Sequence, residues 1–135
     1  MIESEIIVAL GSNTCPRENI EKAKRLLTER FGPDTVFSSF MKTSPIGMSG
    51  PDFINCIMAT RSTLTTEQAT AALKETERLC GDTQALRSEG KVLLDADLLL
   101  CQGERHHLPD WQRPYIMELL NELKQQDNNI SKHRL

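Results

Sequence analysis

The 135-residue chain is 39% hydrophobic and 26% charged, and its formal net charge is −3 at pH 7. That composition describes one globular domain over residues 1–135 that buries a core without disulfides or a structural metal, and it excludes a disordered chain. The acidic balance excludes a dedicated nucleic-acid binder and obliges any anionic ligand to be held by locally placed cations or metal ions. In chain order, the apolar run Glu5–Leu10, closed by Gly11-Ser12-Asn13, predicts a buried strand entering a turn. Ile20, Ala23, Leu27 and Phe31 fall on one face of a helix opening at Pro16 and ending at Gly32-Pro33.

Thr35–Thr43 is rich in β-branched and aromatic residues and reads as a strand; the Pro- and Gly-containing stretch 44–51 is a loop. Phe53–Thr60 is the next strand. Thr65 and Gln68 form a capping-box pattern, opening a helix to about Cys80 with Ala69, Ala72, Leu73 and Leu79 on its apolar side. Gly81–Lys91 is a polar loop, Val92–Cys101 another strand, and Arg113–Gln126 a last helix carrying Ile116, Leu119, Leu120 and Leu123. The polar tail 127–135 is expected to fray. The order is βαββαβ plus a C-terminal helix, an α+β, ferredoxin-like antiparallel arrangement that by itself leaves function open.

Cys15, Cys56, Cys80 and Cys101 show no CxxC and no zinc-ligand spacing, and Cys56 and Cys101 lie in apolar strand-like runs. Reduced thiols of a cytoplasmic protein are expected. No apolar run approaches the roughly 20 residues of a membrane span, and the acidic N-terminus is unlike a targeting segment.

The sharpest chemical feature is Leu93-Leu-Asp-Ala-Asp-Leu-Leu-Leu100. Alternation along a strand puts Leu94, Ala96, Leu98 and Leu100 on one side and projects Asp95 and Asp97 together from the other, roughly 7 Å apart by strand rise. Two such carboxylates suit Mg²⁺, which is gripped by one or two carboxylates plus substrate phosphates. The competing reading is an edge strand with a solvated acidic face. Phe53 and Asn55 also share a strand face, where a ring beside an amide suits a flat heteroaromatic ligand; a core Phe with a backbone-tied amide is the plain alternative. The Gly11-Ser12-Asn13 turn alone says little. There is no phosphate-loop motif, no nucleophile elbow and no nucleophilic His/Cys pair, and His106 and His107 read as surface histidines.

Taken together and in order, these pieces resemble the hydroxymethyldihydropterin pyrophosphokinases of folate biosynthesis. The resemblance is carried by Ala9-Leu-Gly-Ser-Asn13; by Asn19-Ile20 with Ala23 and Leu26; and by Ser39-Phe-Met-Lys-Thr-Ser-Pro-Ile-Gly47. Pro51-Asp-Phe-Ile-Asn55, Glu77 with Gly81, and Leu94-Asp-Ala-Asp-Leu-Leu-Leu100 complete it. It implies transfer of pyrophosphate from ATP, the co-substrate, to 6-hydroxymethyl-7,8-dihydropterin, releasing AMP. By that resemblance Asp95 and Asp97 bind two Mg²⁺ ions, Phe53 stacks on the pterin, and Asn55 with Thr43, Ser44 and Pro45 reads its polar edge. Glu77 matches a nucleotide-pocket glutamate. Small molecules are the expected partners, with no nucleic acid and no membrane, and the chain is expected to act as a monomer.

The sequence departs from that pattern between Gly81 and Asp95. Asp82, Gln84, Glu89 and Val92 stand where members of the family commonly have Arg, Arg, Trp and Arg, and Asp110 stands where they have His. Arg87, Lys91 and Arg113 are left to carry the catalytic and nucleotide-binding cationic load. Two functions follow as expectations: a working pyrophosphokinase, or a weakened or inactive homologue that binds a pterin or nucleotide as a sensor or partner subunit. The loop discriminates between them, because Asp82 and Glu89 facing the site would repel ATP.

Overall fold

The computed structural model describes residues 2–47 and 49–133, with 127–133 described by their backbone alone. Strand β1 (Ser4–Ser12) lies at the centre of one antiparallel sheet, between β4 (Phe53–Ser62) and β5 (Asp95–Cys101). The expected strand 35–43 is divided into β2 (Val36–Phe37) and β3 (Met41–Thr43), both paired with β4. The division has its cause in a contact with β4: buried Ser38 turns its hydroxyl to accept from the Ile57 N–H (2.8 Å) and donate to the Ser39 carbonyl (2.9 Å). A short β6 (Glu104–Arg105) extends the far edge beyond β5. The α+β, ferredoxin-like arrangement with an added C-terminal helix is the observed fold.

Helices α1 (Pro16–Phe31) and α2 (Thr66–Leu79) cover one face of the sheet. Ile6, Val8 and Leu10 of β1 meet Ile20, Ala23 and Leu27 of α1, Ala69 and Leu73 of α2, and Leu94, Ala96 and Leu98. Burying each large aliphatic side chain contributes roughly 1.5–3 kcal/mol. The capping box of α2 is made in both directions, Thr65 Oγ1 accepting from the Gln68 N–H (3.1 Å) and Gln68 Oε1 from the Thr65 N–H (3.0 Å). Leu79 is a correction: it is 42% exposed, and Thr76 and Cys80 complete the buried stripe instead. At 100° per residue Leu79 lies roughly a quarter turn from that stripe.

Helix α4 (Pro114–His133) covers the opposite face, where Ile116, Leu119 and Leu123 pack on Ile7, Ile57 and Leu99. It continues past Gln126; the frayed tail expected for 127–135 falls partly on this helix and partly outside the described residues. The expected polar loop 81–91 contains a short helix, α3 (Gln84–Ser88), capped by the Thr83 hydroxyl. Among the described residues, no helix is long and apolar enough to cross a membrane.

The register of β5 on β1 fixes where its polar residues point. Asp95 lies opposite Gly11 and Asp97 opposite Ala9, but Leu98 pairs with Val8 and Leu100 with Ile7, leaving Leu99 as an extra residue. Such a bulge resets the alternation. Leu94, Ala96 and Leu98 therefore face α1 and α2 as expected, whereas Leu100 packs on the α4 side beside Leu99, against the expected alternation.

Candidate active site

Gly11 is the centre of a row that runs across three strands. Asp95 on β5 pairs with Gly11 on β1, and Gly11 pairs with Asn55 on β4. This row opens beside the end of α4 into a cleft of about 280 Å³. Thr43, Ser44, Phe53 and Asn55 line one end; Asp95, Asp97, Asp110 and Arg87 line the other. A methyl group at Gly11 would meet Asn55 Oδ1 at 3.1 Å and the Phe53 ring at 3.6 Å, so the bare backbone there keeps the floor open. Pro45, Glu77, Lys91 and Arg113 were expected at the site but do not line the cleft, and Lys91 is exposed.

Asn55 is nearly fully buried, and its Nδ2 donates to the Met41 carbonyl (3.1 Å) and the Thr43 hydroxyl (2.7 Å). These bonds bind β3 to β4 and fix the amide plane. The amide is thus tied to neighbouring backbone and lines the cleft at the same time.

The acidic end contains three carboxylates and one guanidinium. Burial, and next the Asp95 carboxylate, push the Asp97 carboxyl up to about 7. Burial also raises the Glu77 carboxyl, which accepts from the Ala96 N–H at 2.8 Å. Arg87 is held by Asp82 Oδ2 (2.6 Å) and the Leu94 carbonyl (3.0 Å), and it reaches Asp95 at 3.4 Å and Glu77 at 3.6 Å.

The Asp82 side chain is 6% exposed and turns away from the cleft. Its Oδ1 accepts from the Leu93 N–H (3.0 Å) and the Leu94 N–H (3.4 Å), which pins the entry to β5. Glu89 ends α3, exposed and outside the lining. Neither acid lines the cleft.

Asp110, Tyr115 and His107 were not anticipated from the sequence as site residues. A 3₁₀ helix (Leu108–Gln112) follows β6, entered through His107 in a left-handed conformation (φ 52°). It turns the chain back over β5, so that ligand atoms of Asp97, His107 and Asp110 all lie within 4.8 Å of one another. Arg113 donates from Nε to Asp110 Oδ1 at 2.9 Å. Trp111 donates to the His106 carbonyl (3.0 Å) and stacks under the Arg105 guanidinium. Nothing in the sequence marks a positive φ at a histidine, and without that turn Asp110 is only a loop acid.

A family model described as 7,8-dihydro-6-hydroxymethylpterin-pyrophosphokinase (HPPK) matches residues 7–125. The chain belongs to this family. The pyrophosphokinase match begins within β1, takes in the other five strands and covers most of α4. Among similar proteins is a 2-amino-4-hydroxy-6-hydroxymethyldihydropteridine pyrophosphokinase of Porphyromonas gingivalis, 30% identical over 133 residues, covering 87% of this chain and 89% of that protein. A mitochondrial folate synthesis bifunctional protein of Pisum sativum is 28% identical, covering 90% of this chain. A folate synthesis bifunctional protein of Chlamydia caviae is 31% identical, covering 87%. The chain spans 25% and 30% of the length of those last two proteins.

Proposed function

We propose that this pyrophosphokinase-family chain transfers the pyrophosphoryl group of ATP to the hydroxymethyl oxygen of 6-hydroxymethyl-7,8-dihydropterin and releases AMP. The observation that supports it most is the Asp95–Gly11–Asn55 row, which puts a carboxylate pair and an aromatic–amide pair at the two ends of one cleft. Phe53 offers a ring face to the flat pterin. Asn55, with its nitrogen committed to Met41 and Thr43, is left with Oδ1 to accept from the pterin edge. Thr43 and Ser44 complete that wall, with Pro45 following them outside the lining.

The donor set at the other end fits a hard divalent cation. Asp95 and Asp97 are oxygen ligands side by side, and the raised Asp97 carboxyl is what a buried anion shows while it lacks a counter-charge. Asp95 and Asp97 would hold Mg²⁺, two ions by the family pattern. Bound there, Mg²⁺ would neutralise triphosphate charge and favour in-line displacement.

In the reaction, the hydroxymethyl oxygen bonds to the β-phosphorus and loses its proton. The bond from that phosphorus to the α–β bridging oxygen breaks, and AMP keeps the oxygen. Such a reaction needs positioning more than a nucleophilic side chain. Arg87 supplies positive charge at the edge of the phosphate region, oriented by Asp82 and Glu77, while Lys91 and Arg113 act from the periphery.

The test is AMP release by the purified chain given ATP, Mg²⁺ and the pterin, with Asp97→Ala alongside. AMP together with a pyrophosphorylated pterin, both absent in the variant, is expected. AMP production retained by Asp97→Ala would overturn the metal assignment. A second reading is favoured by one observation: among the described residues Arg87 is the only cation lining the cleft, and it is already engaged by acids. On that reading the chain binds pterin or nucleotide without turnover, and pterin titration without AMP release is its signature.

A further inference from the structure

Asp95 has an internal cation, Arg87, within 3.4 Å, whereas Asp97 has no ion-pair partner among the described residues. Beside Asp97, the turn after β6 delivers an imidazole and a third carboxylate. Asp97, His107 and Asp110 come from a strand, a left-handed turn residue and a 3₁₀ helix, yet their ligand atoms converge within 4.8 Å. Asp110 gives Oδ1 to Arg113 at 2.9 Å, the kind of outer hydrogen bond that orients a ligating carboxylate.

We propose that Asp97, His107 and Asp110 form a two-carboxylate, one-imidazole site that binds a first-row transition divalent cation, such as Co²⁺, Mn²⁺ or Zn²⁺, in preference to Mg²⁺. The argument is one of ligand type. Mg²⁺ takes oxygen donors and keeps several waters, whereas imidazole adds affinity for Mn²⁺ through Zn²⁺ in the usual order. The two carboxylates supply negative charge, that of Asp110 shared with Arg113. His107 is exposed, so an ion would enter from solvent without rearrangement of the core. The proposal rests on the reading above for the place of Asp97 at the metal end of the cleft, and it concerns the nucleotide-free chain, in which Asp97 is shared with His107 and Asp110 instead of acting with Asp95 on a triphosphate.

The test needs no turnover. Tag-free, chelator-treated full chain is titrated with Co²⁺ in the absence of nucleotide, following visible absorption, and with Mn²⁺, Zn²⁺ and Mg²⁺ by calorimetry. One equivalent of Co²⁺ with an imidazole-containing spectrum is expected. Its affinity should fall at least tenfold in His107→Asn and in Asp110→Asn, with weak Mg²⁺ binding unchanged in His107→Asn. Asn is chosen at 107 because it tolerates the left-handed backbone, and circular dichroism confirms folding. No Co²⁺ or Zn²⁺ binding, or an affinity and spectrum indifferent to His107→Asn, would overturn the proposal. Co²⁺ bound through His107 with no AMP release would leave this site standing and count against turnover alone. AMP release with Mg²⁺ but no transition-ion site would do the reverse.

Discussion

Asp82 is the most informative residue to perturb, because its carboxylate acts as a structural clamp between the α3 loop and the entry to β5. Asp82→Ala removes the acceptor of the Leu93 N–H (3.0 Å), a longer contact to the Leu94 N–H (3.4 Å) and the partner of Arg87 Nε (2.6 Å). A buried donor left unpaired costs about 1–3 kcal/mol. The Arg87 pair, with its guanidinium side chain 31% exposed, adds about 1 kcal/mol or less. A total of about 3 kcal/mol lowers Tm by roughly 10 °C at about 3–4 °C per kcal/mol for a chain of this length. Asp82→Asn keeps an oxygen for the Leu93 N–H but presents an amide donor to Arg87 Nε, so it loses the Arg87 pair and keeps the backbone clamp, and its Tm falls by about a third as much. Thermal unfolding followed by circular dichroism measures both. Trypsin supplies a second readout, since a freed α3 loop is cut sooner at Arg87 and Lys91. Equal losses for the two variants, or an Asp82→Ala Tm within about 2 °C of the parent, would refute the clamp.

Phe53→Ala should weaken pterin binding by about tenfold or more while the unfolding midpoint changes little, because Phe53 lines the cleft instead of the core; pterin titration checks it. Gly11→Ala places a methyl 3.1 Å from Asn55 Oδ1 and displaces that amide, so pterin affinity should fall while the sheet stays paired, as read by titration and circular dichroism. A thiol reagent at neutral pH should modify Cys15 alone in the native protein and all four cysteines after denaturation. Burial pushes the Cys56 thiol up to about 12 from 9.0, so the folded state keeps a proton that the unfolded chain releases. Its stabilising contribution is complete below about pH 9 and lost as pH rises towards 12. Denaturant titrations at pH 8 and pH 10.5 should therefore show a steeper loss for the parent than for Cys56→Ala.

The parts of this molecule that a local rule governs were legible in the sequence. Helical period placed Ile20, Ala23 and Leu27 in the core, the capping box at Thr65 formed, and strand alternation aimed Asp95 and Asp97 at one face. What was not legible depends on contacts distant in sequence. Leu79 lost its place because the sheet selects the stripe ending in Thr76 and Cys80. The strand expected at 35–43 divides because Ser38 satisfies Ile57 nineteen residues on, a partner that propensity cannot foresee. Asp82 looked like a repulsive charge until Leu93 and Leu94 were brought to it. Asp110 and His107 join the site only through a left-handed histidine, which no composition rule signals.

The extra residue at Leu99 makes β5 a strand of two phases. Upstream of it the sheet presents carboxylates to the cleft; downstream, Leu99 and Leu100 both serve α4 while Cys101 returns to the other core. Deleting Leu99 would erase that phase change without turning the strand: Asp95, Asp97 and Leu100 would keep one face and Leu98 and Cys101 the other, and the loss would be the Leu99 contacts with α4. Length upstream is less forgiving. Removing Ala96 would put Asp95 and Asp97 on opposite faces of the strand and break up the carboxylate pair.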